Sequence, residues 1–233
     1  MSLLNPWLSL SLMVLLAWLI VFIFKKNLRK EMLWASIITA PIGLTELIFA
    51  PKYWLPDSLF NLTLKIGFDI EGLIFSFAIG GIGSVIYGAF FKIKYEKMSR
   101  HEMHNKRHKF HLLALVSPAV VFFPLYFLTS LNPIYTASIT MFIGAISALY
   151  CRPDLKKNMF FSGLMFLVLY FVIFSLFMLF YPGIVFEYWN LSAISGILIL
   201  GIPIEELMFA FTFGMLWSSY YEHIKWYKLK GKS

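Results

Sequence analysis

Seven stretches of this chain are long and apolar enough to cross a lipid bilayer, at 7–24, 33–50, 66–91, 111–131, 134–150, 159–181 and 197–220. A spanning helix needs about 20 mostly apolar residues. Within the hydrocarbon every backbone N–H and C=O must find its partner inside the protein, so such stretches fold as helices. With 60% hydrophobic and 14% charged residues and a mean hydropathy of +0.76, soluble and disordered classes are excluded. The sequence therefore predicts an all-α integral membrane protein with seven transmembrane helices.

The basic residues test that number. Of the 20 Lys and Arg, 18 fall in "KKNLRKEM", "KIKYEKMSRHEMHNKRHKFH", "CRPDLKKN" and the tail "YYEHIKWYKLKGKS", against 2, Lys52 and Lys65, in the alternate loops. Basic loops face the cytoplasm, so the expected topology has the N-terminus outside and the C-terminus cytoplasmic. The net charge of +8 is then a topology signal that also attracts anionic lipid headgroups, and no nucleic-acid partner is expected. The first segment lacks a preceding basic region and a following small-residue cleavage site, which predicts a retained helix. A single cysteine, Cys151, excludes an internal disulfide framework.

An internal similarity organises the chain. "IGFDIEGLIFSF" at 66–77 aligns without gaps to "LGIPIEELMFAF" at 200–211, with six identities in twelve, and Glu71 matches Glu205. Tyr53-Trp54 and Tyr188-Trp189 precede the two glutamates by nearly equal distances, and Tyr87 and Tyr221 each follow by sixteen residues. The copies lie four segments apart and so enter the bilayer in the same direction, as a parallel repeat. The expected organisation is a first unit at 1–110, a linking helix at 111–133 and a second unit at 134–233. Facing copies would bring Glu71 and Glu205 to one depth.

Acids at membrane depth are costly, and their default meaning is functional. Glu71 and Glu205 are expected up to about two turns inside the outer ends of their helices. Glu46, in "PIGLTELIFA", Asp69 and Glu206 fall near the same level, with no Lys or Arg in any helix core. A carboxyl group in a dry apolar site can stay protonated and act as a general acid. Aromatic faces attract cations, and Trp54, Phe75, Phe77, Trp189, Phe209 and Phe211 are the aromatic residues close to these acids. Acid, aromatic walls and exclusion of water are what protonation of an alkene requires.

Pro203-x-Glu205-Glu206 followed by Phe209, on the last helix of a seven-helix chain with a duplicated unit, resembles the integral-membrane lycopene cyclases. These are the fused form of the heterodimeric bacterial carotenoid cyclases and are similar to the cyclase half of fungal bifunctional cyclase/phytoene synthase proteins. In that family the Pro-x-Glu-Glu type motif is implicated in closing the ψ-end of lycopene to a β-ionone ring without net redox change. The resemblance implies that Glu205 or Glu206 protonates the terminal alkene, that aromatic faces stabilise the carbocation, and that a second carboxylate, Glu71 for preference, removes a ring proton. It further implies a lipophilic polyene taken from the bilayer and a location in a bacterial or archaeal cytoplasmic membrane. The first copy departs from the pattern: Asp69-Ile70-Glu71-Gly72 has neither the proline nor the second glutamate. No cofactor is expected. A Gly-x-Gly-x-x-Gly following a strand is absent, which separates the chain from the soluble flavin-binding cyclases.

Simpler roles compete with these. A protonated buried Glu can hydrogen-bond across helices for about 1 kcal/mol, Pro203 can kink the last helix, and the Tyr-Trp pairs can belong to an interfacial belt. "GGIG" at 80–83 offers small faces for close helix packing. His104 and His108 have metal-ligand spacing if helical, but with Lys106, Arg107 and Lys109 interleaved a lipid-facing basic loop is expected and no metal. Among other classes, a proton-coupled transporter would need polar faces through the whole thickness, which "LIFSFAIGGIGSVIY" does not offer. A retinal receptor would need a lysine in the last helix. A noncatalytic carotenoid- or lipid-binding protein shares all the features above.

Overall fold

The computed structural model describes residues 5–231. In chain order its helices are α1 (Pro6–Phe24), α2 (Arg29–Thr39), α3 (Glu46–Phe49), α4 (Leu62–Ile66), α5 (Ile70–Phe90), α6 (Arg100–Met103), α7 (His111–Leu128), α8 (Pro133–Cys151), α9 (Lys156–Phe180), α10 (Ile184–Tyr188) and α11 (Ile204–Lys225). Four short strands complete it: β1 (Ile93–Lys97), β2 (Leu198–Ile199), β3 (Ile202–Pro203) and β4 (Tyr227–Gly231). Among the described residues, six helical stretches are long and apolar enough to cross a membrane: Pro6–Phe24, Lys26–Phe49, Ile70–Phe90, Lys106–Leu128, Pro133–Cys151 and Pro153–Phe180. They correspond to the first six predicted segments. The seventh is covered by α11, whose 22 residues suffice in length but include Glu205, Glu206, Glu222 and Lys225. Outward faces are apolar, as at Phe24 on α1 and Leu112, Phe127 and Leu128 on α7. Surfaces of that kind require lipid rather than water around them. The chain is an all-α membrane protein.

Helix α5 packs against α1 and α2, α11 packs against α8 and α9, and α5 and α11 meet; α7 lies against α8. Glycine sets the closeness of the first of these contacts. A Cβ at Gly80 would lie 2.1 Å from Thr39 Oγ1, and one at Gly81 would lie 2.3 Å from Ser36 Oγ. The stretch at 80–83 thus serves close packing. At one end of the bundle Trp54 and Trp189 form an antiparallel bridge, with Leu55 N–H donating to Tyr188 O and Asn190 N–H to Tyr53 O, both at 2.8 Å. At the other end β1 and β4 pair antiparallel, centred on Tyr95 opposite Leu229.

Three local features differ from the sequence expectation, each for a physical reason. The second segment is not one helix: α2 stops at Thr39 and a 3-10 turn, Ala40–Thr45, leads into α3. Pro41 supplies no N–H to continue the α-helical ladder. Gly43 then packs onto the first turn of α5, where a Cβ would lie 2.5 Å from the carbonyl carbon of Gly72. Helices α5 and α11 also start later than expected. Gly67 (φ +83°) ends α4, and Gly201 (φ +88°) turns the β2–β3 hairpin, conformations that glycine adopts without steric cost. Consequently Glu71, Glu205 and Glu206 lie in the first turns of their helices and Asp69 is the N-cap of α5. Finally, Pro203 does not kink a helix: it precedes α11 as its N-cap, with φ −56°.

Candidate active site

A cavity of about 420 Å³ opens between α1, the 40–49 segment, α5, α7, α8 and α11. Its walls are aromatic and aliphatic: Trp7, Trp54, Phe75, Trp189, Phe209, Phe213 and Trp217 contribute rings. The Trp7 indole stands edge-on to Trp54 at 4.5 Å and packs on Phe75 at 5.2 Å, while Trp54 and Trp189 meet at 5.2 Å. Helix α2 ends after 11 residues, and Ile42, Gly43, Thr45 and Glu46 from the turn and short helix that follow line this space. Ile42 and Phe123 line the cavity and are also exposed on the lipid-facing surface, so it opens sideways between the 40–49 segment and α7.

Two carboxylates face this cavity, Glu46 and Glu206. Glu206 is held on both oxygens: Tyr53 Oη (2.6 Å) and Trp189 Nε1 (2.8 Å) donate to Oε1, and Tyr170 Oη (2.6 Å) donates to Oε2. Its adjacent position in the first turn of α11 lets donors from three elements converge on it. Glu46, in the first turn of α3, neighbours the Trp54 indole and keeps Oε1 without a hydrogen-bond partner. A satisfied acceptor and an acid with one free oxygen thus share one apolar chamber.

The other predicted acids are placed differently. Glu205 does not line the cavity. Its Oε1 accepts from Tyr135 Oη at 2.5 Å and from Ser195 N–H at 3.0 Å, and its Oε2 has no partner. Glu71 accepts from Asn5 Nδ2 at 2.9 Å and from Leu59 N–H at 2.7 Å, again with Oε2 unpartnered. Each of these two glutamates pins the loop that leads into its own helix. Asp69 is fully engaged: Oδ1 accepts from Gly72 N–H (2.6 Å) and Trp7 Nε1 (3.1 Å), and Oδ2 from Thr63 Oγ1 (2.6 Å). Gly72 aligns with Glu206 in the sequence, and a Cβ there would sit tightly, 3.1 Å from Asp69 Oδ1 and 3.2 Å from Gly43 O.

Of the six predicted aromatic residues, Trp54, Phe75, Trp189 and Phe209 line the cavity. Phe77 packs instead on Trp18 and Phe211 on Phe160, away from it. In the sequence Tyr53 stands out only as half of a Tyr-Trp pair, and nothing marks Tyr170 on the apolar helix α9. The bundle's opposite end holds buried acids that the sequence reading passed over, Glu31 bonded to Tyr95 Oη at 2.5 Å and Glu222 near Asn158. There too His104 and His108 are not a pair: His104 Nδ1 sits on Arg100 O, whereas His108 meets Cys151.

Fold and cavity together define a helical membrane protein with two carboxylates set in an aromatic, lipid-accessible chamber. Residues 132–224 match the family model described as Lycopene cyclase, so this part of the chain is similar to that family. That stretch contains Tyr135, Tyr170, Trp189, Glu205 and Glu206; Glu46, Tyr53 and Trp54 lie outside it. No curated protein and no solved structure matches the chain.

Proposed function

We propose that the chain closes the linear ψ-ends of a lycopene-type carotenoid into rings, with Glu46 and Glu206 handling the proton. The observation that carries this reading is the pair of carboxylates facing one aromatic cavity that opens toward lipid. Glu46, with an oxygen free of protein partners, delivers a proton to the terminal alkene so that positive charge forms on its tertiary carbon. The neighbouring alkene attacks that carbon, one C–C bond closes the six-membered ring, and the charge moves to a ring carbon beside the Trp and Phe faces. A ring proton then leaves to Glu206, whose three donors stabilise the charge it carries. One proton enters and one leaves, so the product is an isomer of the substrate. The cavity lies within the range of small-molecule sites, about 300–1,000 Å³, and suits one end of a long polyene, the remainder extending through the lateral opening into the bilayer. Glu71 and Glu205 act as positioning residues that fix the loops before α5 and α11, and Asp69 caps α5.

The same proposal includes a seventh span by α11, an outside N-terminus and a cytoplasmic C-terminus, so that the basic loops meet anionic headgroups of a bacterial or archaeal cytoplasmic membrane. A parallel duplication, with α7 as the linking helix, is supported by the matched positive-φ residues Gly67 and Gly201 and the reciprocal bonds around Trp54 and Trp189. The β1–β4 pairing supports it too, because Tyr95 and Leu229 stand at corresponding points after the two helices. Expression in a lycopene-accumulating bacterium tests the chemistry: the unmodified chain is expected to yield cyclic carotenes, and Glu46→Gln and Glu206→Gln are each expected to leave lycopene in place. Full conversion by either variant, at wild-type protein level, would refute the assignment of that carboxylate.

A further inference from the structure

At the end of the bundle away from the cavity, three metal-binding side chains from two helices converge. His108 lies in the 3-10 turn Lys106–Phe110, His111 opens α7, and Cys151 closes α8. Their ligand atoms all lie within 4.8 Å of one another. Cys151 Sγ is 3.2 Å from His108 Nδ1 and 3.5 Å from His111 Nδ1. A tetrahedral zinc ion, with Zn–S of about 2.3 Å and Zn–N of about 2.0–2.1 Å, sets its S and N ligands about 3.5 Å apart, so both edges already have nearly the spacing a shared metal needs.

A separate observation points the same way. His223, near the end of α11, is fully buried, and neither of its ring nitrogens has a hydrogen-bond partner. Its ring lies 4.6 Å from that of His111, which is in turn held flat against the Trp226 indole at 4.0 Å. An imidazole buried with both nitrogens unsatisfied is costly, and this one packs against a member of the cluster. Arg152, the neighbouring positive charge, is already neutralised by two bonds to Asp154 and occupied by Glu222 O and Tyr227 O.

We infer that His108, His111 and Cys151 form a structural site for zinc or a similar borderline-soft divalent cation. His and Cys donors are the ligand types that such an ion takes. Here it ties the start of α7 to the end of α8, holding the helix that forms one wall of the cavity. By the helical rise, Cys151 is about 27 Å along α8 from its first residue, close to Glu205, so the ion takes no part in the proton chemistry.

The test uses the full chain in detergent, carrying an affinity tag free of histidine, loaded with zinc and then desalted. Elemental mass spectrometry is expected to find about one zinc per chain, and cobalt loading is expected to produce a thiolate-to-metal charge-transfer band. Cys151→Ser and His111→Gln should lose both signals, while His104→Gln, an exposed residue outside the cluster, should keep both. Because Cys151 is the only cysteine, alkylation of the unmodified protein gives a second readout that needs no variant. The chelator-stripped chain should label at least about tenfold faster than the zinc-loaded chain, as expected for a metal-bound thiolate. Folded protein that retains no zinc, gives no cobalt band and labels equally fast in both states would overturn the site.

Discussion

Replacing Glu206 with Gln separates its chemistry from its place in the fold. The carboxylate accepts three hydrogen bonds, from Tyr53 and Trp189 on one oxygen and from Tyr170 on the other. In the amide, the carbonyl oxygen retains the first two, and the NH₂ group donates to Tyr170 once that hydroxyl turns its own proton away. Every partner is kept, so thermal stability in detergent should change little, although bonds to a charged acceptor are exchanged for weaker neutral ones. Proton acceptance is lost altogether. Positioned acid–base groups contribute about 100- to 10,000-fold, equivalent to about 3–5 kcal/mol of transition-state stabilisation. The assay is the initial rate of cyclic product formation from lycopene in lipid vesicles, with bound lycopene measured in parallel. Binding should be retained while the rate falls by at least about 100-fold. A rate lowered by less than about tenfold, with stability unchanged, would remove Glu206 from the proton path.

Other outcomes follow from the same geometry. Tyr170→Phe strips the only donor that the described residues give Glu206 Oε2 and leaves a buried oxygen unsatisfied, so it should lower stability by about 1–3 kcal/mol, read as a shift of the melting transition; an unchanged midpoint would count against the bond. Gly43→Ala forces a Cβ to within 2.5 Å of the Gly72 carbonyl carbon and should cost about 1–3 kcal/mol by overpacking, with loss of activity as Glu46 is displaced; an alanine variant as stable and active as the parent would show that the 40–49 segment is not held there. At the basic end, Glu102 accepts from Lys228 Nζ at 2.7 Å and from Ser99 N–H, and these bonds hold it down to about 2 from the ordinary 4.5. Since the folded value is depressed, the tie is complete above about pH 4.5 and is lost as pH falls toward 2. Amide exchange across 99–103, corrected for its intrinsic pH dependence, should show protection constant at neutral pH and declining only below that window; a decline beginning near pH 6 would contradict it.

Much of this architecture was legible in the chain because a bilayer punishes ambiguity. Uninterrupted apolar runs, basic residues in alternate loops and costly acids are strong signals, and they gave six of the membrane-spanning stretches and both cavity carboxylates as candidates. Their separation into two kinds was not legible. Glu205 and Glu206 are adjacent, yet consecutive helical side chains point about 100° apart, so one reaches the cavity and the other a loop. Only the entry angle of α11, set by Gly201 and the β2–β3 hairpin, decides which. The break at Pro41 was hidden in an apolar run whose composition reads as one continuous helix, although it brings Glu46 to the chamber. Likewise the meeting of His108 and His111 with Cys151 depends on the packing of α7 against α8, a contact across about forty residues that local spacing cannot express.

The central claim is that one protein chain isomerises a linear carotenoid to a cyclic one. Purified protein in lipid vesicles containing lycopene, followed by separation of the pigments and mass spectrometry, tests it most directly. A cyclic carotene identical in mass to the lycopene supplied is the predicted product. Lycopene recovered unchanged from vesicles that hold folded protein with the polyene bound would contradict the account and leave a carotenoid-binding role in its place.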